Sequence, residues 1–225
     1  MVEPELPAMV GDAAGLPTGE VAAMGVLEDL PEPEESDAWL RERAGELSPN
    51  PLWQAWLGQA GLLRRFVTAV ANVSMGGSPA EQLDFLRPQA SFSVVVDAEG
   101  RTRADPEGWR RYDGIVAALT SLDARAAAGL FRGITPLLET AWRPLGFTGR
   151  EFDDAAQQAI AVVLETDPRD AEAELIEDEA VWGYANPGLE AHTPATKHLL
   201  RLGPGNLLRL QDWITSFANA AGLAP

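Results

Sequence analysis

The chain has 225 residues, 46% of them hydrophobic, with 34 acidic against 17 basic side chains, a formal net charge of -17 and no cysteine. That length closes one sizeable core, the charge disfavours nucleic acid because most of this surface would repel phosphate, and the missing cysteines exclude disulfides, thiolate metal sites and a cysteine nucleophile. No run of about 18 uninterrupted apolar residues occurs and the N-terminus carries acids where a signal peptide needs positive charge, so a soluble chain without a membrane span is expected.

Residues 1–35 hold nine acids, five prolines and no base, the composition of a solvated acidic arm. Within it Val21, Met24, Leu27 and Leu30 recur at three-residue spacing, which fits a short helix docking on the body. Residues 36–225 are expected to form one helical domain.

From Ser36 onward the pattern predicts short helices over 37–47, 51–73 with a break near Gly58 to Gly61, 107–120, 123–143, 151–165, 194–202 and 205–220. Several starts are announced by a capping residue followed by proline at the first helical position: Asn50-Pro51, Ser78-Pro79, Asp105-Pro106 and Thr193-Pro194. Ser78 to Glu81 and Thr148 to Glu151 also have capping-box spacing. In "LLRRFVTAVANV" (62–73) the apolar residues share one face, while Arg64 and Arg65 fall about 200° and 300° from Leu62 on a helical wheel, off that face. The pair reads as the wet side of an amphipathic helix, and in a chain this acidic it is also a landing place for the acids at 165–179 or for the arm. In 123–143, Leu130, Phe131, Ile134, Leu137, Leu138, Ala141 and Trp142 form a buried stripe, with Pro136 on the polar side as a kink.

Two segments break the helical rule. "SFSVVV" (91–96) with the turn Asp97 to Gly100 and "RTR" reads as a strand and a return strand, and "ELIEDEAVWGYA" (174–185) as a second β segment that pairs with it. The expected fold is mainly α within a helix-rich α+β class, a bundle of short amphipathic helices beside a two-to-three-stranded β element.

No minimum catalytic set is present. His192 and His198 are six residues apart, not the four of a helical zinc pair, and the acids from Glu165 to Glu179 lack the glycine at position six and the glutamate at position twelve of a calcium loop. Phosphate-loop, dinucleotide and nucleophile-elbow motifs are missing, and Gly76-Gly77 reads as helix punctuation. No cofactor or metal is implied. The densest mixture of recognition-type residues is "VWGYANPGLEAHTPATKHLLRLGPGN" (181–206), with Trp182, Tyr184, His192, Lys197, His198 and Arg201. Together with Arg64 and Arg65 these are the candidate binding residues; the same segment also suits plain packing.

"LLRRFVTAVANV", "SPAEQLDFLRP", "YDGIVAALTSLDARAAAGLFRGITPLLETAWRPLG", "FDDAAQQAIAVVLETD" and "YANPGLEAHTPATKHLLRLGPGN", in this order, resemble a bacterial family known as domain of unknown function 3014, over about residues 30–215. The resemblance implies a bacterial protein and supplies no catalytic residues. Many members carry an N-terminal membrane helix and a Pro-rich linker, which implies the cell envelope if the native N-terminus is longer; as the sequence stands, a cytoplasmic location is expected. The expected function is a non-enzymatic protein-interaction or scaffold module with another protein as partner. The alternative is a carboxylate-dependent hydrolase or small-ligand-binding protein using 182–206, in which a carboxylate of raised pKa sits in a pocket near His192 or His198.

Overall fold

The computed structural model describes residues 27, 29–178 and 181–224. In chain order its helices and strands are α1 (Asp37–Gly45), α2 (Pro51–Trp56), α3 (Leu62–Ser74), β1 (Val94–Val96), β2 (Thr102–Ala104), α4 (Pro106–Trp109), α5 (Asp113–Thr120), α6 (Ala124–Gly133), α7 (Thr135–Trp142), α8 (Phe152–Glu165), β3 (Leu175–Asp178), β4 (Val181–Tyr184), α9 (Pro187–Glu190), α10 (Pro194–Leu200) and α11 (Pro204–Ala221), with short 3-10 turns between some of them. The class is helix-rich α+β, as the residue pattern predicts.

α11 runs through the body and packs along α6, α5 and α8, while α3 lies against α8. Phe152 is the centre of the main core. It is fully buried, with the rings of Phe66, Phe131 and Trp142 at 6.1, 6.1 and 5.7 Å, separations at which aromatic pairs attract beyond their area burial. Leu63, Val67, Leu137, Leu138, Ile160 and Ala218 close around it. Polar side chains occupy the orphan groups of the helix ends: Gln211 Nε2 donates to the carbonyls of Val163 and Thr166 at 2.8 Å each, and Trp213 Nε1 donates to Leu122 at 2.8 Å.

The capping chemistry places most starts correctly. Asn50 Oδ1 accepts from Leu52 N, Asp105 accepts from Glu107 N, and Thr193 Oγ1 accepts from Thr196 N. Ser78-Pro79 does not start an α-helix. Ser78 Oγ accepts Ala80 N at 3.3 Å, but the chain continues as turns and a 3-10 stretch at Asp84–Leu86, because Gln82 is held by α3: its side chain by Asn72 and its carbonyl by Arg65. The capping box of α8 is one turn later than its spacing suggested, with Glu151 and Asp154 as the reciprocal pair.

The expected kink at Pro136 is a full break. α6 ends at Gly133 and α7 restarts at Thr135, with Pro136 in its first turn, where a missing N–H costs nothing. The break leaves the Gly133 carbonyl to accept Leu27 N at 3.0 Å, and Gly133 has no side chain to obstruct Leu27, whose Cγ lies 2.8 Å from where a Cβ would stand. Leu27 and Leu30 pack on the main core without forming a helix; Val21 and Met24 lie outside the described residues. The two β segments do not pair with each other. Each folds back on itself as an antiparallel hairpin, Val94 opposite Ala104 in one and Leu175 opposite Tyr184 in the other.

Candidate functional site

The two hairpins and α10 enclose a cleft of about 430 Å³, inside the range of small-ligand sites. Its floor is a second, smaller core of Ala171, Leu200 and Leu207, on which Trp109, Tyr184 and Leu199 pack. Phe92 and Ala104 line it from the first hairpin and the chain leading into it, Ile176, Trp182 and Tyr184 from the second, and Lys197, His198 and Arg201 from α10 and its C-cap.

Glycines set two of the junctions. Gly76, with φ +78°, lets Thr193 approach so closely that a Cβ there would stand 2.8 Å from Thr193 Cγ2, and the Gly76 carbonyl takes Ala195 N at 2.9 Å. The Gly76-Gly77 turn therefore seats the start of α10. At the other end of α10, Gly203 (φ +81°) lies against the Trp109 ring; a Cβ would sit 2.4 Å from Trp109 Cγ.

The polar groups of the cleft are unequally engaged. Glu190 Oε1 accepts Lys197 Nζ at 2.5 Å and its Oε2 accepts Tyr184 N at 2.7 Å, tying α9, α10 and β4 together. The Lys197 ammonium, then the Tyr184 amide, hold the Glu190 carboxyl below its ordinary pKa. His198 Nδ1 lies 3.2 Å from Ser78 Oγ; burial, assisted by the Arg201 charge, lowers its pKa and favours the neutral imidazole. Burial pushes the Tyr184 hydroxyl up to about 12. Arg201 has no hydrogen-bond or ion-pair partner among the described residues; its guanidinium stands 5.9 Å from the Phe92 ring centroid, and Arg111 lies 5.3 Å from that same ring.

Of the residues singled out from sequence, the cleft gathers Trp182, Tyr184, Lys197, His198 and Arg201. His192 is exposed and lies outside it, as does Arg64. Arg65 is occupied elsewhere. It donates to Gln82 O at 2.9 Å and to Asp84 Oδ1 at 3.0 Å, over the Phe85 ring, so its acidic partner is Asp84 and not the 165–179 block. Within that block Arg169 pairs with Asp167 at 2.6 Å and holds its carboxyl down to about 2. Ser78, Phe92, Trp109 and Glu190 join the cleft without having been anticipated. Ser78 and His198 are 120 positions apart, a proximity that no local pattern encodes. Among the described residues no group of three or more His, Asp or Glu side chains is placed to hold a metal ion, and no single helix is long and apolar enough to cross a membrane.

No match was found among curated proteins or among solved structures. The family model described as "Protein of unknown function (DUF3014)" matches residues 62–217, more than half of the chain, and the cleft's lining residues fall within that span. By that match the chain belongs to the DUF3014 family.

Proposed function

We propose that the chain is a non-enzymatic protein-interaction module whose working surface is the cleft between the hairpins and α10. The observation that carries this reading is the mismatch of charges there: the cleft's carboxylate, Glu190, is consumed by Lys197, while the Arg201 guanidinium has no partner among the described residues. In a chain of net charge -17, that guanidinium gives the cleft a local positive charge that an anionic group on a partner can meet. Exposed aliphatic side chains at the rim, Ile176 and Val181 at 51% and 63% exposure, add apolar surface of the kind that partners cover.

A hydrolase reading is less well supported. It requires a carboxylate with raised pKa beside a histidine, whereas Glu190 is shifted the opposite way. Ser78 and His198 are the nearest approach to a nucleophile and its base, but no carboxylate among the described residues hydrogen-bonds the imidazole to orient it.

The test uses the full chain as bait, compared with a Trp182→Ala/Arg201→Gln double variant, alongside a panel of ester, phosphoester and amide substrates. A partner retained by the wild type and lost from the variant, with no turnover, is expected. Turnover that Ser78→Ala or His198→Ala abolishes would overturn the proposal.

A further inference from the structure

We propose, resting on that reading of the cleft, that its occupant is the C-terminus of a partner polypeptide ending in a bulky apolar residue, with the terminal carboxylate on Arg201 and the last side chain between Phe92 and Trp182.

The chemistry of the walls selects this ligand. Arg201 is an exposed guanidinium without a hydrogen-bond or ion-pair partner among the described residues, a fork of donors that matches a carboxylate in two-point geometry. Arg201 lines the cleft, and its charge reaches Tyr184, His198 and Glu190 there. Tyr184 keeps its hydroxyl proton, and with His198 Nδ1 engaged by Ser78, Nε2 is the nitrogen left for a ligand. The cleft thus offers the Tyr184 hydroxyl and a guanidinium without an ion-pair partner among the described residues, while its carboxylate, Glu190, is held by Lys197 and the Tyr184 amide. A ligand must bring the negative charge.

It must also bring an apolar group close to that charge, because Arg201 stands only 5.9 Å from the Phe92 ring centroid. In an extended chain neighbouring side chains point to opposite faces, so an internal Asp or Glu and the apolar residue beside it do not both enter one pocket. At a chain end, the α-carboxylate and the last side chain share a Cα and enter together. A volume of about 430 Å³ suits one or two residues, not a segment passing through. Capture of a terminal carboxylate is an established mode of peptide recognition.

The test titrates the full chain with the acetylated tetrapeptide Gly-Ala-Leu-Phe as its free acid, with the same peptide as its C-terminal amide, and with 3-phenylpropionate, following amide NMR shifts of α10 and β4. The free acid is expected to bind with Kd on the order of 0.1–1 mM. Amidation and Arg201→Gln are each expected to weaken it at least about tenfold, Arg201→Lys less, and the exposed His192→Gln not at all. Equal binding of acid and amide overturns the carboxylate assignment. Binding of 3-phenylpropionate without the peptide overturns a polypeptide as the source. Binding of none of the three overturns the proposal outright, while partner retention that depends on Trp182 and Arg201 would still support the interaction module.

Discussion

Replacing Gly203 by alanine is expected to damage the wall of the cleft more than any other single-methyl change there. Gly203 has φ 81° and ψ 160°, a region essentially closed to side-chain-bearing residues at about 1–3 kcal/mol. The added Cβ would stand 2.4 Å from Cγ and 2.5 Å from Cδ2 of Trp109, and displacing a packed indole costs about a further 1–3 kcal/mol. Gly203→Ala should therefore lose about 2–6 kcal/mol, against a total stability of about 5–15 kcal/mol for a domain. Gly205 is the internal control. It lies two residues later, in the first turn of α11, with nothing within 4 Å of an added Cβ, so Gly205→Ala should be neutral or stabilise by up to about 1 kcal/mol. Urea unfolding followed by tryptophan fluorescence and far-UV circular dichroism reads both. A Gly203→Ala midpoint within about 1 kcal/mol of wild type would refute the packing derived for Trp109.

Asp37 accepts Gly61 N at 2.6 Å and Leu62 N at 2.8 Å, capping α3 from a different helix; Asp37→Ala should cost about 1–2 kcal/mol in urea unfolding. Arg64→Gln should leave stability within about 0.5 kcal/mol, whereas Arg65→Gln, which loses Gln82 O and Asp84, should cost about 0.5–1.5 kcal/mol in the same assay. Spectrophotometric titration should show one of the two tyrosines ionising near pH 12, and Tyr184→Phe should remove that step. Because the folded pKa is raised above the unfolded one, this group's contribution is complete below about pH 10 and is lost as pH rises through the folded value. For Asp97, Asp167 and Glu190 the sign reverses. Their folded pKa values are depressed, so the stability they confer is present above about pH 4 and is lost as pH falls toward 2, which melting temperatures across that window should trace.

The helices whose starts rest on local chemistry, at Asn50, Asp105 and Thr193, were legible in the sequence because a cap acts within three residues of itself. The same chemistry misplaced a helix after Ser78, where α3 holds Gln82 in a turn through Asn72 and Arg65, contacts invisible to a local pattern. Proline at 136 was legible as a disturbance, but its form, a break that frees the Gly133 carbonyl for Leu27, depends on a residue more than a hundred positions away. The site divides likewise. The contribution of 182–201 stood out by composition, because aromatic and cationic residues are concentrated there. Phe92, Trp109 and Ser78 come from elsewhere in the chain, and Glu190 looked like one acid among 34 until Lys197 was placed against it. Arg64 and Arg65 stand out in the sequence by their charge contrast; in the fold Arg64 is exposed on α3 and Arg65 is engaged by Gln82 O and Asp84, a partner that a local pattern does not specify.

Site-specific photo-crosslinking tests the account most directly. A photoreactive residue at Ile176, on the exposed rim of the cleft, is expected to capture a partner protein in a reaction that Arg201→Gln suppresses, while the same residue at Leu145, exposed but outside the cleft, captures none. Crosslinking that is equal at the two positions, or indifferent to Arg201, would contradict the claim that this cleft is where the protein binds.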